Sequence, residues 1–160
     1  RIIIPSFNDD GNCNYFIARS YVGHHRRYLN PPCGRDIIFN ELNVEWDEPV
    51  ILVEGVFDAV VAGDNAIPIL GSTLREDSRL FQAIAVHDTP VYIALDPDAE
   101  KKAHWIIKSL MKYDLEIKKL NIGIYEDIGS MSSGAFQEKL KLAEDVDGDL
   151  YFLEKLLKNL

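Results

Sequence analysis

The sequence predicts an α/β fold, a parallel sheet with helices on both faces, preceded by a small β-rich segment. Three observations predict it. From about residue 49, short apolar runs alternate four times with helically spaced segments, and strands joined in that way run parallel. The run Val50-Ile-Leu-Val53 is apolar at every position rather than every second one, as a strand covered on both faces requires. The opening stretch instead carries strand and turn patterning with no helical period. With 160 residues, 47% of them apolar, the chain can form one globular domain, or a domain with a small lobe.

The elements follow in order. Arg1-Ile-Ile-Ile-Pro5 and Tyr15-Phe-Ile-Ala18 are separated by the turn formers Asn8-Asp-Asp-Gly11 and read as a hairpin. Residues 23–35, with Gly23, Pro31, Pro32 and Gly34, read as an irregular loop. Val50-Ile-Leu-Val53 is the first buried strand and ends in Glu54-Gly55, before a helix over 56–62. Ala66-Ile-Pro-Ile-Leu70 is the second strand, followed by a helix over 76–85 that places Leu80, Phe81 and Ile84 on one face. Pro90-Val-Tyr-Ile-Ala-Leu95 is the third and stops at Asp96, before a helix over 101–113 with Ala103, Ile106, Ile107, Leu110 and Met111 in phase. Residues 115–120 form the fourth strand. The tail from 133 to 160 reads as one or two helices broken near Asp147-Gly148 and packed on the domain.

Composition excludes some function classes and misleads about others. No window reaches the roughly 18 apolar residues of a membrane span, and the opening residues are not of secretory type, so a cytoplasmic setting without a membrane partner is expected. A first residue other than Met suggests a piece of something longer. Cys13 and Cys33 are too few for a thiolate zinc site, and with His24 and His25 their spacing is irregular, so no zinc is expected; reduced thiols are the default, with a disulfide the alternative. The net charge of −9 argues at first against nucleic acid, whose phosphates are bound by Lys and Arg. Yet residues 1–36 hold Arg1, Arg19, Arg26, Arg27 and Arg35 against only Asp9, Asp10 and Asp36, so a basic segment precedes a strongly acidic body.

In a parallel α/β sheet, ligands bind where the strands end. Glu54 and Asp58 flank the first strand-to-helix turn, Asp96 and Asp98 the third. Four carboxylates gathered at one edge repel one another unless cations lie between them, and hard oxygen donors suit Mg²⁺ or Mn²⁺ bridging to phosphates. Gly55 would let a ligand approach the backbone closely. The simpler alternatives are a solvated acidic rim and, for Asp98, a helix N-cap.

The segment VILVEGVFD, Val50 to Asp58, resembles the Glu-Gly-x-x-Asp motif of the Toprim domain of bacterial-type primases, topoisomerases and certain nucleases, and Leu95-Asp-Pro-Asp98 resembles its Asp-x-Asp motif. Tyr28-Leu-Asn-Pro-Pro32 is similar to the Tyr-Leu-Asn motif upstream of Toprim in DnaG-type primases. Arg1-Ile-Ile-Ile-Pro5, Gly11, Ile17-Ala-Arg19 and Leu70-Gly-Ser-Thr-Leu74 resemble further primase segments. On that resemblance residues 1–47 are the last part of the basic N-terminal subdomain, 48–125 a Toprim domain and 126–160 a helical segment.

The resemblance implies roles. Glu54 becomes a metal ligand or general acid/base, with Asp58, Asp96 and Asp98 as further ligands of Mg²⁺ or Mn²⁺, two ions in all. Arg27, Tyr28 and Asn30 match the strip that contacts nucleotide phosphates or template; Arg19, Arg35 and Gly55 extend it. Guanidinium groups suit phosphate because of their paired donors. The implied function is the catalytic core of a DNA primase, making short RNA primers from NTPs on single-stranded DNA, with a replicative helicase as a further partner. Departures exist. A later Lys-Asp-Pro-Asp motif is reduced to Tyr125-Glu-Asp-Ile-Gly129, so only Asp127 carries over, and Asp-Pro-Asp replaces the usual Asp-Gly-Asp. The preceding zinc-binding domain and any helicase P-loop are not found in this sequence. A Toprim nuclease, or a non-catalytic Toprim scaffold recruiting replication proteins, are the alternatives.

Overall fold

The structure is a computed structural model; it describes residues 1–160 except 24, 72–73, 149–150, 152 and 154–160. Much of the expected helical tail, with Leu150, Leu156, Leu157 and Leu160, and the centre of the Leu-Gly-Ser-Thr-Leu segment therefore lie outside the described residues.

Two sheets organise the chain. The first has three antiparallel strands in the order β1-β2-β3: β1 (Ile2–Phe7), β2 (Cys13–Arg19) and β3 (Tyr28–Leu29). The opening hairpin is as expected, closed by a turn in which Asn8 Oδ1 accepts the Asn12 N–H at 2.7 Å. The loop assigned to 23–35 is corrected at its middle, where Tyr28 and Leu29 pair with Arg19 and Ala18. Their two-residue length gave no period to read. Arg1 reinforces this pairing by donating to the Arg26 carbonyl at 2.9 Å.

The second sheet has the order β5-β4-β6-β7-β8. β4 (Val50–Val53) lies between β5 (Ala66–Pro68) and β6 (Val91–Ile93), with β7 (Ile117–Lys119) beyond, and these four are parallel. Between them run α1 (Val56–Ala62), α2 (Arg79–His87) and α3 (Glu100–Leu110). The unbroken apolar run of β4 is explained by its position: Val50 and Leu52 face one layer, Ile51 and Val53 the other. The first layer holds Leu80, Phe81 and Ile84 of α2 and Ala103, Ile106, Ile107 and Leu110 of α3. The second holds Ala62 of α1 and Phe136 of α4 (Ser133–Leu140). Val56, Phe39, Tyr15 and Ile17 form a third apolar cluster that ties the small sheet to the start of α1.

Several boundaries differ from expectation for local reasons. The second helix starts at Arg79 rather than 76, because Ser78 caps it: Oγ accepts from the Phe81 N–H, while Asp36 accepts the Arg79 N–H at 2.9 Å. It runs on to His87 and stops at Asp88, in the left-handed region at φ 53°. The third helix stops at Leu110 and residues 111–113 tighten into a 3-10 turn. The tail is not purely helical: β8 (Glu144–Asp145) adds an antiparallel edge strand to β7, with Lys118 reaching Asp145 at 3.4 Å. Alternating salt-bridge pairing across two residues has no sequence signature. The helix break expected near Asp147-Gly148 is not found there: β8 ends at Asp145 and Gly148 is already helical. The α4 helix docks on α1 through its start: Ser133 Oγ and Gln137 Nε2 donate to the Val61 and Ala62 carbonyls at 2.9 Å, which satisfies orphan acceptors at the end of α1. No helix among the described residues is long and apolar enough to cross a membrane.

Leu52 is fully buried between the layers, whereas Val86 is 80% exposed on α2. Leu52→Ala should therefore cost about 2–5 kcal/mol of unfolding free energy, and Val86→Ala no more than about 0.5 kcal/mol, both read from urea denaturation midpoints.

Candidate active site

Parallel, in-register pairing of β4 and β6 sets Val50 beside Val91 and Leu52 beside Ile93, so both strands end at the same edge. Glu54 follows β4 directly, and Asp96 opens a 3-10 turn over Pro97–Ala99 that leads into α3. Pro97 stands at the first position of that turn, where its missing N–H is not needed. Oxygen atoms of Glu54, Asp96 and Asp98 lie within 4.8 Å of one another, a spacing that fits a bound cation. Asp98 is the exposed member of the three. The alternative role for Asp98 as a side-chain cap is not realised, since α3 has no side-chain cap hydrogen bond.

Asp58 is placed differently. It stands at the third position of α1 and turns back, so that Oδ2 accepts the Gly55 N–H at 2.9 Å. Its charge thus meets the positive end of the helix rather than the oxygen cluster. A Cβ on Gly55 would stand 3.1 Å from that same oxygen. Gly129 is confined in the same way, its missing Cβ falling 3.1 Å from Asp58 Oδ1 and 3.6 Å from Asp127 Oδ1. Asp127 closes the group as cap of a 3-10 turn over Ile128–Ser130, with Oδ1 accepting the Ser130 N–H at 2.7 Å.

The crowding shows in the acidities. Burial pushes the Asp96 carboxyl up to about 6; Asp58, Glu54 and Asp127 push the same way, and the Ile128 N–H only partly opposes them. Burial likewise raises Asp58, with Asp127 and Glu54 adding to the effect against hydrogen bonds from Gly55 and Gly129. At Glu54, Lys102 Nζ of α3 donates to Oε2 at 2.6 Å, while Oε1 is buried with no hydrogen-bond partner among the described residues. A buried carboxylate oxygen without a donor, beside two further carboxylates, is the arrangement a hard cation completes. The residues present thus fit Mg²⁺ or Mn²⁺.

Arg19, Arg27, Tyr28, Asn30 and Arg35 line a cleft of about 760 Å³. Glu54, Gly55, Asp58, Asp96 and Asp127 line the same cleft; Asp98 does not. The guanidinium of Arg19, at the end of β2, lies over the Phe57 ring at 4.7 Å and the Tyr28 ring at 5.8 Å, and Arg27 lies 5.8 Å from Tyr28. Phe57 belongs to α1, so the basic strip and the first acidic turn are held against each other. Residues the sequence reading missed are Lys102, Phe57, Gly129 and Ser130. Lys102 carried one usable signal, its position one helical turn after Asp98. The others come close only through tertiary contacts.

Asp96 titrates at about 6 in the folded chain against an ordinary 3.8. Between those values the folded state binds more protons than the unfolded one, so this group's contribution is fully present below 3.8 and lost as pH rises through about 6. Asp96→Asn should accordingly stabilise the metal-free chain at pH 7, by on the order of 1 kcal/mol or less given solvent screening, and should flatten the pH 4–7 part of the stability profile. Thermal unfolding in chelator across that range checks both expectations.

No protein-family model matches the chain, and no curated protein does. Solved structures do. A DnaG primase catalytic domain bound to single-stranded DNA superimposes with a TM-score of 0.79 at 17% identity, over 100% of this chain and 56% of that one. A DNA primase domain from Pseudomonas aeruginosa gives 0.75 at 22% identity, over 99% and 56%. The Aquifex aeolicus primase, with its zinc-binding and RNA polymerase domains, gives 0.70 at 23%, over 91% and 41%. The chain thus spans about half the length of the structures it matches. Through its parallel sheet, its flanking helices and its small antiparallel sheet, this chain has the fold of a DnaG-type primase catalytic core.

Proposed function

We propose that this chain is part of the catalytic core of a DNA primase, joining NTPs into short RNA primers on a single-stranded DNA template. One observation carries the reading: the carboxylates Glu54 and Asp96 and the strip Arg19, Arg27, Tyr28, Asn30 and Arg35 line one and the same cleft. A phosphoryl-transfer site requires both kinds of group, anionic ligands for cations and cationic groups for phosphates. The likeness to a DnaG catalytic domain that binds single-stranded DNA supports the choice of template.

Glu54, Asp96 and Asp98 would hold Mg²⁺ or Mn²⁺, with Asp58 and Asp127 behind them. Two such ions would supply Lewis-acid activation of the attacking 3′-hydroxyl and charge neutralisation at the departing pyrophosphate. The chain's own residues do the rest. The paired N–H groups of Arg27 and Arg35 bind phosphate oxygens, and Arg19, fixed between Phe57 and Tyr28, keeps its charge at one place in the cleft. The ring of Tyr28, 45% exposed, offers a face for a base to stack on. Asn30 Oδ1 is buried without a hydrogen-bond partner among the described residues and would accept from a nucleotide hydroxyl or amino group. A replicative helicase as partner and a cytoplasmic setting belong to this reading.

Glu54→Gln keeps the shape and removes the charge. In the full-length parent it should lower template-directed incorporation at least about 100-fold, and undiminished synthesis would end the catalytic assignment. Cleavage of labelled single strands in Mn²⁺ without NTPs would instead identify a Toprim nuclease. Absence of any Mg²⁺ or Mn²⁺ binding by calorimetry would point to a scaffold. Because the basic strip is short and the whole chain carries −9, binding of single-stranded DNA should be weak and should fall steeply between about 50 and 200 mM salt, as fluorescence anisotropy would show.

A further inference from the structure

We propose that Lys102 is the built-in counter-cation of the acidic site and competes with a divalent ion for Glu54. The proposal rests on the reading of Glu54, Asp96 and Asp98 as a metal site and adds a determinant of its affinity. Lys102 lies on α3, and helical side chains lean toward the N-terminus, so its stem runs back along the turn that carries Asp96 and Asp98. Its Nζ meets Glu54 Oε2 at 2.6 Å, and the two side chains are only 18% and 25% exposed. Among the ion pairs of the described residues it alone has both partners largely shielded from water. Lys101, one position earlier, is exposed.

A shielded carboxylate beside Asp96 and Asp98 would be costly without compensation, and Lys102 supplies it from within the chain. One ammonium neutralises only part of the group: Oε1 of Glu54 has no partner. The contact holds Glu54 fixed in direction in the metal-free chain, while the ammonium weakens the hold of the same carboxylate on an incoming dication through charge repulsion and through occupation of Oε2. Lys102 acts through Glu54, as a positioning residue.

Mn²⁺ serves as the probe. Calorimetric Kd values and Mn²⁺-induced shifts in unfolding midpoint are measured for the wild-type chain, Lys102→Met, Lys102→Arg and Lys101→Met. Lys102→Met should bind Mn²⁺ about tenfold more tightly, melt lower in chelator and gain more from saturating Mn²⁺ than the wild type. Lys102→Arg, which keeps the charge, and Lys101→Met, which removes the same charge from an exposed position, should both stay within about twofold of the wild-type Kd. If Lys102→Met does not fold, Lys102→Gln, which retains a donor for Oε2, carries the same expectation. Equal or weaker Mn²⁺ binding by the neutral variant overturns the proposal, as does equal tightening in Lys101→Met. A lower melting point with unchanged Kd also overturns it, as the mark of a merely structural lysine. Failure of the wild-type chain to bind Mn²⁺ overturns the metal-site reading itself, and this proposal with it.

Discussion

Because β4 and β6 run parallel and in register, they leave the sheet together and turn into their helices side by side, which is what brings Glu54 and Asp96 into one place. A parallel ladder of this kind cannot stand alone in water. It needs cover on both faces, and the alternation Val50, Leu52 against Ile51, Val53 provides apolar surface to α2 and α3 on one side and to α1 and α4 on the other. Placement of the acids is therefore a consequence of core burial. The strand ends need only be polar for the sheet to terminate; that they are carboxylates is extra, and it carries an electrostatic cost.

That cost is met locally. Asp58 spends its charge on the Gly55 N–H and Asp127 on the Ser130 N–H, two short-range capping contacts. Glu54 has Lys102. Asp96 has only the Ile128 N–H at 3.3 Å and is left with its carboxyl raised to about 6. The least compensated groups, Asp96 and the Glu54 carboxylate whose Oε1 has no partner among the described residues, belong to the same cluster of oxygens within 4.8 Å of one another. Sites kept under such tension in the apo form are those that ligands stabilise most, since the stability withheld in the free chain returns on binding.

The small antiparallel sheet contributes differently. Its packing on the main domain runs through Tyr15, Ile17, Phe39 and Val56, the last of which stands two residues before Asp58. The contact fixes where the end of β2 lies, and with it Arg19 over the Phe57 ring. Arg19 at the end of β2 and the nearby Arg27 and Arg35 thus share a cleft with the acids, although the chain as a whole is acidic. The net charge of −9 hides this arrangement, since Glu54, Asp58, Asp96 and Asp127 share one cleft with Arg19, Arg27 and Arg35.

Fold class, the hairpin, the first helix at 56–62 and the succession of four apolar strands were legible because each rests on local pattern: β-branched runs, turn residues and helical spacing. So was the candidate site in outline, because residues at the ends of parallel strands converge by topology, and Glu54, Asp58, Asp96 and Asp98 stand at two such ends. What pattern could not show were contacts between residues far apart in sequence. The strand at Tyr28 and Leu29 and the edge strand at Glu144 and Asp145 exist only because partners lie beside them. Asp58 turned out to cap its own helix rather than join the cluster within 4.8 Å, a choice set by the Gly55 N–H and by Gly129 at its back. The sequence by itself determined which groups reach the edge of the sheet; the tertiary structure decided their partners, above all Lys102 for Glu54, since shielding from water and separations of a few ångströms are properties of the packed chain and have no period to read.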